Sequence, residues 1–199
     1  MKIAKIVKSN SHVDYVGRVI DALDSNSPPS SDDYGFAQFV SMPLEDMTEI
    51  VGVIYDSQLL NPDYGSYGPR LSPQPELAVL SPDYLNEQGL LVGILLLGWR
   101  DRLKNEMWHG VPRSIIPVNQ DVLRLSDEDF FAFHSNVEGK IRLHYYSQIF
   151  THAGDFGSFL FEAILNKLAP MCGEDDKKRL GVLKSSLNWQ RTLGNQKHG

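Results

Sequence analysis

Three histidines and one glutamate in the second half of the sequence have spacings at which side chains on helices approach each other. His134 lies four residues before Glu138, and His144 lies eight residues before His152. Imidazole and carboxylate groups are suitable metal ligands, but these spacings match no established metal site. Histidines in such positions are more often hydrogen-bonded or half-exposed. The sequence therefore predicts no metal site and no cofactor.

Carboxylates offer the other candidate chemistry. Residues 127–129 are three consecutive acids, which have the chemistry for acid–base catalysis. They follow Ser126, and a serine before acids is typical of a helix start, where the acids face the positive end of the helix dipole. Residues 155–157 read DFG, like a kinase metal-binding motif, but the sequence has neither the kinase catalytic loop nor a glycine-rich loop.

Other catalytic signatures are also missing from the sequence. It contains no phosphate-binding G-x-x-x-x-G-K-[ST] motif, no G-x-S-x-G, no H-E-x-x-H and no C-x-x-C. We therefore expect a protein that is not an enzyme, although an enzyme of unrecognised type that binds a small molecule stays open as an alternative.

The segment NPDYGSYGPRLSPQP, residues 61–75, has the residue types found most often at protein-binding hot spots. Tyr64, Tyr67 and Arg70 lie in it among prolines and glycines that restrict its conformations. This pattern predicts a partner-binding loop. In the alternative, the tyrosines fold back over the rest of the domain, and the sequence leaves both possibilities open.

The carboxy-terminal segment has a second candidate binding surface. Residues 177–199 carry six Lys and Arg residues and no acid, whereas residues 1–176 have 13 basic and 25 acidic residues. Lys177, Lys184 and Arg191 recur every seven residues, which places them on one side of a helix, and Trp189 lies nearby. This pattern predicts docking to a protein with an acidic surface, and a merely solvated face is the alternative. The negative net charge of residues 1–176 repels phosphates and so opposes direct binding of nucleic acid.

Two features of the sequence bear on the cellular compartment of the protein. Cys172 is the only cysteine, so no disulfide can form within the chain. The sequence starts without a secretory signal, and the apolar segment at residues 89–99 is shorter than the roughly 20 residues of a membrane-spanning helix. We therefore expect a cytoplasmic protein without a membrane span.

Apolar segments separated by turn residues precede residue 126 and predict β-strands. These segments are residues 15–23, 35–42, 49–60, 76–81, 89–99 and 113–125. Several short strands in one small domain predict a closed or nearly closed antiparallel barrel. Gly17, Gly52 and Gly93 lie within the apolar segments, where a glycine permits a sharp bend or a close approach of two strands.

After residue 126 the apolar residues recur at helical spacing. This pattern predicts helices over residues 127–134, 139–152, 155–171 and 174–193. The predicted fold class is α+β. It comprises a small antiparallel β-barrel domain at residues 1–125, followed by an α-helical domain or tail at residues 126–199.

Residues 13–125 resemble the HAS-barrel, the domain named after HerA and ATP synthase. The resemblance rests on GRV at residues 17–19, VGVI at residues 51–54 and the later segments GLLVGILLLGW and GVPRSIIPVNQDVLRLS. In that family the barrel caps ring-forming ATPases, mediates assembly and contacts partners, while nucleotide chemistry belongs to a separate domain. The resemblance therefore implies an adaptor or assembly factor, with an accessory factor of a nucleic-acid-processing ATPase as the alternative.

Overall fold

The apolar segments of the amino-terminal part form β-strands in the computed structural model, which describes residues 1–60 and 89–195, with side chains as far as Trp189. The strands in the described residues are β1 (Lys2–Ser9), β2 (Asp14–Val19), β3 (Phe39–Pro43), β4 (Thr48–Leu60), β5 (Gly89–Asp101), β6 (Glu106–His109) and β7 (Asp121–Arg124). The predicted strand at residues 76–81 lies outside the described residues.

The strands form an antiparallel barrel. The sheet runs in the order β2-β1-β7-β3-β4-β5-β6, and β2 also pairs with β5, so six of the strands close on themselves. β6 pairs with the second half of β5 and extends the sheet beyond the closed ring. The predicted α+β fold, with an antiparallel barrel before helices, is confirmed.

Two strands were not predicted, and one predicted strand was too long. β1 and β6 were not predicted, because β1 contains several lysines and β6 has only four residues. The predicted strand at residues 113–125 is a strand only in β7, since Pro117 and the turn at residues 118–119 interrupt regular pairing before Asp121. The segment at residues 89–99 is a strand, as predicted, and lies largely buried in β5.

Four α-helices follow in the described residues. They are α1 (Asp127–His134), α2 (Tyr146–His152), α3 (Gly157–Leu168) and α4 (Glu174–Asn195). The predicted helix start at Ser126 is confirmed, because the Ser126 hydroxyl accepts a hydrogen bond from the backbone N–H of Asp129 at 3.1 Å. None of the helices in the described part of the chain has the length and apolar character needed to cross a bilayer.

The predicted helix at residues 139–152 was too long at its amino-terminal end. Helical conformation begins only at Tyr146. Gly139 has a φ of +75°, and an isolated bridge joins Ser135 to Ile141. The segment between α1 and α2 is therefore a turn that places Tyr145 next to α1.

The core continues from the barrel into the helices. Phe39 on β3 packs edge-on against Phe130 of α1, with ring centroids 4.9 Å apart, and lies 6.3 Å from the ring of Phe133. The buried cluster extends further to α3 and α4, where Leu165 and Leu187 belong to it. The boundary at residue 125 separates strands from helices, and its role as a domain boundary stays a prediction.

Gly17, Gly52 and Gly93 each lie at a register shift of the barrel. In the pairing of β1 with β2, the register shifts between the residue pairs Ile6–Gly17 and Lys8–Val16. In the pairing of β4 with β5, it shifts between the pairs Val51–Gly98 and Gly52–Leu96, and again between the pairs Ile54–Ile94 and Asp56–Gly93. A β-carbon at Gly52 would lie 2.9 Å from Cγ2 of Ile94 and 3.0 Å from the carbonyl oxygen of Leu95. Gly98, which the sequence did not single out, is equally constrained, because a β-carbon there would overlap the carbonyl oxygen of Trp108.

Candidate functional site

His134 lies at the end of α1 and is fully buried between the barrel and the helices. Its Nδ1–H donates to the carbonyl oxygen of Phe130 at 2.6 Å, so Nε2 is free to accept a hydrogen bond from the hydroxyl of Tyr145 at 2.5 Å. Both ring nitrogens are thus used within the chain. His134 does not act with Glu138 as a ligand pair.

His109 on β6 belongs to the same polar cluster. Its Nε2–H donates to the carbonyl oxygen of Phe133 at 2.8 Å, and its Nδ1 accepts from the backbone N–H of His144 at 3.2 Å. Burial lowers the pKa of His109 to about 4 and that of His134 to about 3, with the charge of Arg142 acting in the same direction. Both rings are therefore neutral at pH 7 and hold β6, α1 and the turn before α2 together.

The acids at residues 127–129 also have structural partners. Asp127 lies 2.9 Å from Lys167 of α3, and Asp129 lies 3.0 Å from Arg100 of β5. The hydrogen bond from Lys167 lowers the pKa of Asp127. Within residues 1–60 and 89–195, no group of three or more His, Cys, Asp or Glu side chains is placed to hold a metal ion.

The predicted partner-binding residues Tyr64, Tyr67 and Arg70 lie outside the described residues. A cleft lies beside the strand residues that flank their segment, on β4 and at the start of β5. Its volume is about 390 Å³. The cleft is lined by Ser31, Tyr34, Gly35, Phe36, Ile54, Tyr55, Asp56, Ser57, Leu90 and Phe156. We refer to it as the aromatic cleft.

Aromatic rings form much of its wall. Phe36 and Phe156 are each 48% exposed, and their ring centroids are 6.0 Å apart. The hydroxyl of Tyr55 donates to Oδ1 of Asp14 at 2.9 Å, which fixes the ring against the barrel. Burial and this carboxylate raise the pKa of Tyr55, so the phenol stays protonated. Sequence reasoning missed the cleft, because Phe36 and Phe156 meet only in the folded chain.

Asp56 is the one acidic residue among the described residues that line the aromatic cleft. The carboxylate accepts the backbone N–H of Ser57 at 2.8 Å, and the amide of Gln58 lies 3.5 Å away, at the limit of a hydrogen bond. None of the described lining residues is a Lys, Arg or His, and no ion pair of Asp56 occurs within the described part of the chain. A carboxylate beside aromatic faces is suited to bind a cation that has an apolar stem.

Two of the three basic residues predicted to dock on a partner, Lys177 and Lys184, have partners within the chain. Lys177 pairs with Glu174 at 2.9 Å, and Lys184 contacts Asn166 of α3 at 2.8 Å and Glu162 at 3.8 Å. The side chain of Arg191 is outside the described part. Trp189 is 66% exposed.

The leucines of α4 divide between two environments. Leu180 and Leu187 are buried against the rest of the chain, whereas Leu183 is 38% exposed. The buried pair lies seven residues apart, which is two helical turns, and therefore fixes one face of α4 to the fold. These three leucines recur at helical spacing and form an apolar stripe, which is buried only in part.

The barrel and the helices together match one protein family. The family is described as Domain of unknown function (DUF8166), and the match covers residues 1–196. The chain belongs to this family. A search of curated proteins found no match to the sequence.

Proposed function

We propose that this protein is a non-enzymatic adaptor, or assembly factor, that binds a protein segment in the aromatic cleft. The observation that carries this proposal is that Asp56, which has no cationic partner among the described residues, lines the same cleft as the half-exposed rings of Phe36 and Phe156. The occupant is a Lys or Arg side chain on an extended or looped segment of the partner.

The chemistry of the cleft favours this occupant in two ways. The stem of a Lys or Arg side chain packs on Phe36 and Phe156, and its charged end reaches Asp56 while it faces the rings. A volume of about 390 Å³ accommodates one long side chain with its neighbours. Binding residues of this kind, an aromatic surface around a charged anchor, are typical of interface hot spots.

The side chains with catalytic potential support a role in binding. His109 and His134 are neutral and use their ring nitrogens in hydrogen bonds, while Asp127 and Asp129 form ion pairs. The resemblance to HAS-barrels belongs to this proposal and is supported by the closed antiparallel barrel that precedes the helices. An accessory role in an ATPase system would be one setting for such an adaptor.

The first experiment measures the side-chain preference of the cleft. We expect an array of immobilised peptides to retain the protein when Lys or Arg occurs within an apolar context, and to lose it when that residue is replaced by Ala or Glu. Asp56→Asn should weaken binding to the selected peptides by about tenfold or more, since a charged hydrogen bond contributes about 1.5–3 kcal/mol. Retention of the protein without any preference for basic residues would contradict the proposal.

Two controls separate the cleft from general electrostatics and from small-molecule binding. Glu45→Gln removes the same charge at an exposed position in the turn between β3 and β4, and should leave peptide binding unchanged. Free arginine methyl ester and tetramethylammonium should bind far more weakly than the peptides. If either small cation binds as tightly as the best peptide, the cleft is a small-molecule site and the adaptor function is wrong.

A further inference from the structure

A second cleft lies where β6 meets the turn that follows α1. Its volume is about 450 Å³, and its wall includes Trp108 of β6, Asn136 of the turn and Arg142 just beyond the turn. Among the described residues, this cleft and the aromatic cleft share no lining residue. We refer to it as the junction cleft, because both the barrel and the helical part contribute to its wall.

Arg142 brings to the junction cleft a positive charge that no acid of the described chain pairs with. Its Nη2 donates to the carbonyl oxygen of Ser135 at 2.9 Å and lies 3.5 Å from that of Met107, at the limit of a hydrogen bond. Within residues 1–60 and 89–189, Nη1 has no acceptor, and Nε is buried without one. Carbonyl oxygens hold the guanidinium in place but leave its charge unbalanced. Arg100 of the same cleft, in contrast, pairs with Asp129 at 3.0 Å.

Two asparagine side chains add hydrogen-bond donors to the same wall. Oδ1 of Asn105 accepts from Nε and Nη2 of Arg100, at 3.1 and 2.5 Å. Oδ1 of Asn136 accepts from the backbone N–H groups of Glu138 and Lys140, at 3.0 and 2.8 Å. These bonds fix the orientation of both amides, since only the amide oxygen accepts. Each Nδ2 therefore keeps its N–H groups without an acceptor among the described residues.

The complement of free donors beside an unpaired cation is an anion. Glu106 also lines the junction cleft, and its charge repels a phosphate dianion more strongly than a carboxylate monoanion. Trp108, which is 51% exposed, and the exposed Val137 make part of the wall apolar. Such a wall favours an acid that carries an apolar or aromatic portion.

We infer that the junction cleft binds the carboxylate of a small organic acid, with Arg142, Asn105 and Asn136 as donors and Trp108 beside the apolar portion of the ligand. A volume of about 450 Å³ is within the range of small-molecule clefts. Because the wall combines β6 with the segment between α1 and α2, the bound acid stabilises the contact between barrel and helices. This inference does not depend on what the aromatic cleft binds.

Calorimetric titration of the full chain tests the class of ligand. We expect phenylacetate and hexanoate to bind and to raise the melting temperature, and phenylacetamide, which has nearly the same shape without the charge, to bind far more weakly. Inorganic phosphate should also bind more weakly than phenylacetate. Equal binding of phenylacetamide, tighter binding of phosphate, or no binding of either acid at millimolar concentration would each overturn the inference.

An asparagine variant tests the donors without removing the contacts that hold the turn. Asn136→Asp keeps an oxygen for the N–H groups of residues 138 and 140, but replaces the free donors with a negative charge. It should weaken the binding of phenylacetate by about tenfold or more, as should Arg142→Gln. Asn119→Asp makes the same change on the exposed turn before β7, outside the junction cleft, and should bind like the parent.

Glu106→Gln tests the site in the opposite direction. It removes the repelling charge, so phenylacetate should bind about two- to fivefold more tightly, and a gain of affinity does not arise from partial unfolding. Glu45→Gln, in the turn between β3 and β4, is the matched control and should leave the affinity unchanged. Unchanged binding of phenylacetate by Asn136→Asp and Glu106→Gln would place the acid elsewhere and would contradict the inference.

Discussion

At the scale of single residues, Gly52 shows how closely the strands of this barrel approach. Any side chain there meets Cγ2 of Ile94 at 2.9 Å and the carbonyl oxygen of Leu95 at 3.0 Å, and backbone cannot move aside as a side chain can. Gly52→Val should therefore lower the free energy of unfolding by about 1–3 kcal/mol. Urea denaturation followed by circular dichroism measures this change.

Gly181→Val is the control for Gly52→Val. Gly181 lies in α4, where a β-carbon would have no atom within 4 Å. Valine also has a higher helix propensity than glycine, so this variant should be as stable as the parent or slightly more stable. Equal denaturation curves for Gly52→Val and the parent would show that the strands separate at little cost and that Gly52 is not constrained.

At the scale of secondary-structure elements, the sequence predicted those features that depend on local chemistry. Continuous apolar runs predicted β4 and β5, and Ser126 before three acids predicted the start of α1, because a capping hydroxyl acts within one turn. β1 was missed because its lysines, at positions 2, 5 and 8, recur every three residues and interrupt the apolar residues.

The candidate site could not be predicted in the same way, because its parts come from distant positions. Phe36 follows a 3-10 turn, Asp56 lies on β4, and Phe156 precedes α3. The residue types of the aromatic cleft are ordinary in the sequence, and only the packing of the helices against the barrel brings them together. The pairing of His134 with Tyr145 likewise depends on the turn between α1 and α2.

Charge reversal tests whether the basic residues of α4 bind a partner. Reversal of Lys177, Lys184 and Arg191 to Glu should abolish recovery of a partner with an acidic surface in a pull-down with the native protein. The melting temperature should fall only slightly, although Lys184 is close to Glu162, because exposed ion pairs contribute about 0–1 kcal/mol each. Recovery of the partner should also weaken with salt, as screening acts over about 8 Å at physiological ionic strength.

The control for this triple variant has an equal change of charge elsewhere. Lys5, Lys8 and Lys104 are exposed on the barrel and are reversed to Glu together. This control should recover the partner as the parent does, since the net charge changes equally but α4 is intact. Full recovery by the α4 variant would show that the basic residues serve only their contacts within the chain.

At the scale of the whole molecule, the barrel and the helices share one core and one polar cluster. His109 from β6 and His134 from α1 lie between them, and both are held neutral by burial. The folded-state pKa values of about 4 and about 3 are below the unfolded value of 6.5. Between these values the unfolded chain binds more protons than the folded chain, so acid favours unfolding.

The free energy of unfolding should therefore be highest above pH 6.5 and should fall by about 2 kcal/mol for each of the two histidines, or about 4 kcal/mol in total, between about pH 7 and about pH 5. Between pH 7 and pH 5 this change comes from the histidines. Carboxylates such as Asp127, whose pKa is lowered by Lys167, lose their contribution to the free energy of unfolding only at lower pH. Urea denaturation at several pH values across the window measures the slope of the free energy of unfolding against pH.

Two histidine variants test the origin of this slope. His109→Gln, which retains a donor for the carbonyl of Phe133, should reduce the slope, whereas His152→Gln at an exposed position should not. Equal slopes for the parent and His109→Gln would show that His109 is not held neutral at the junction between barrel and helices.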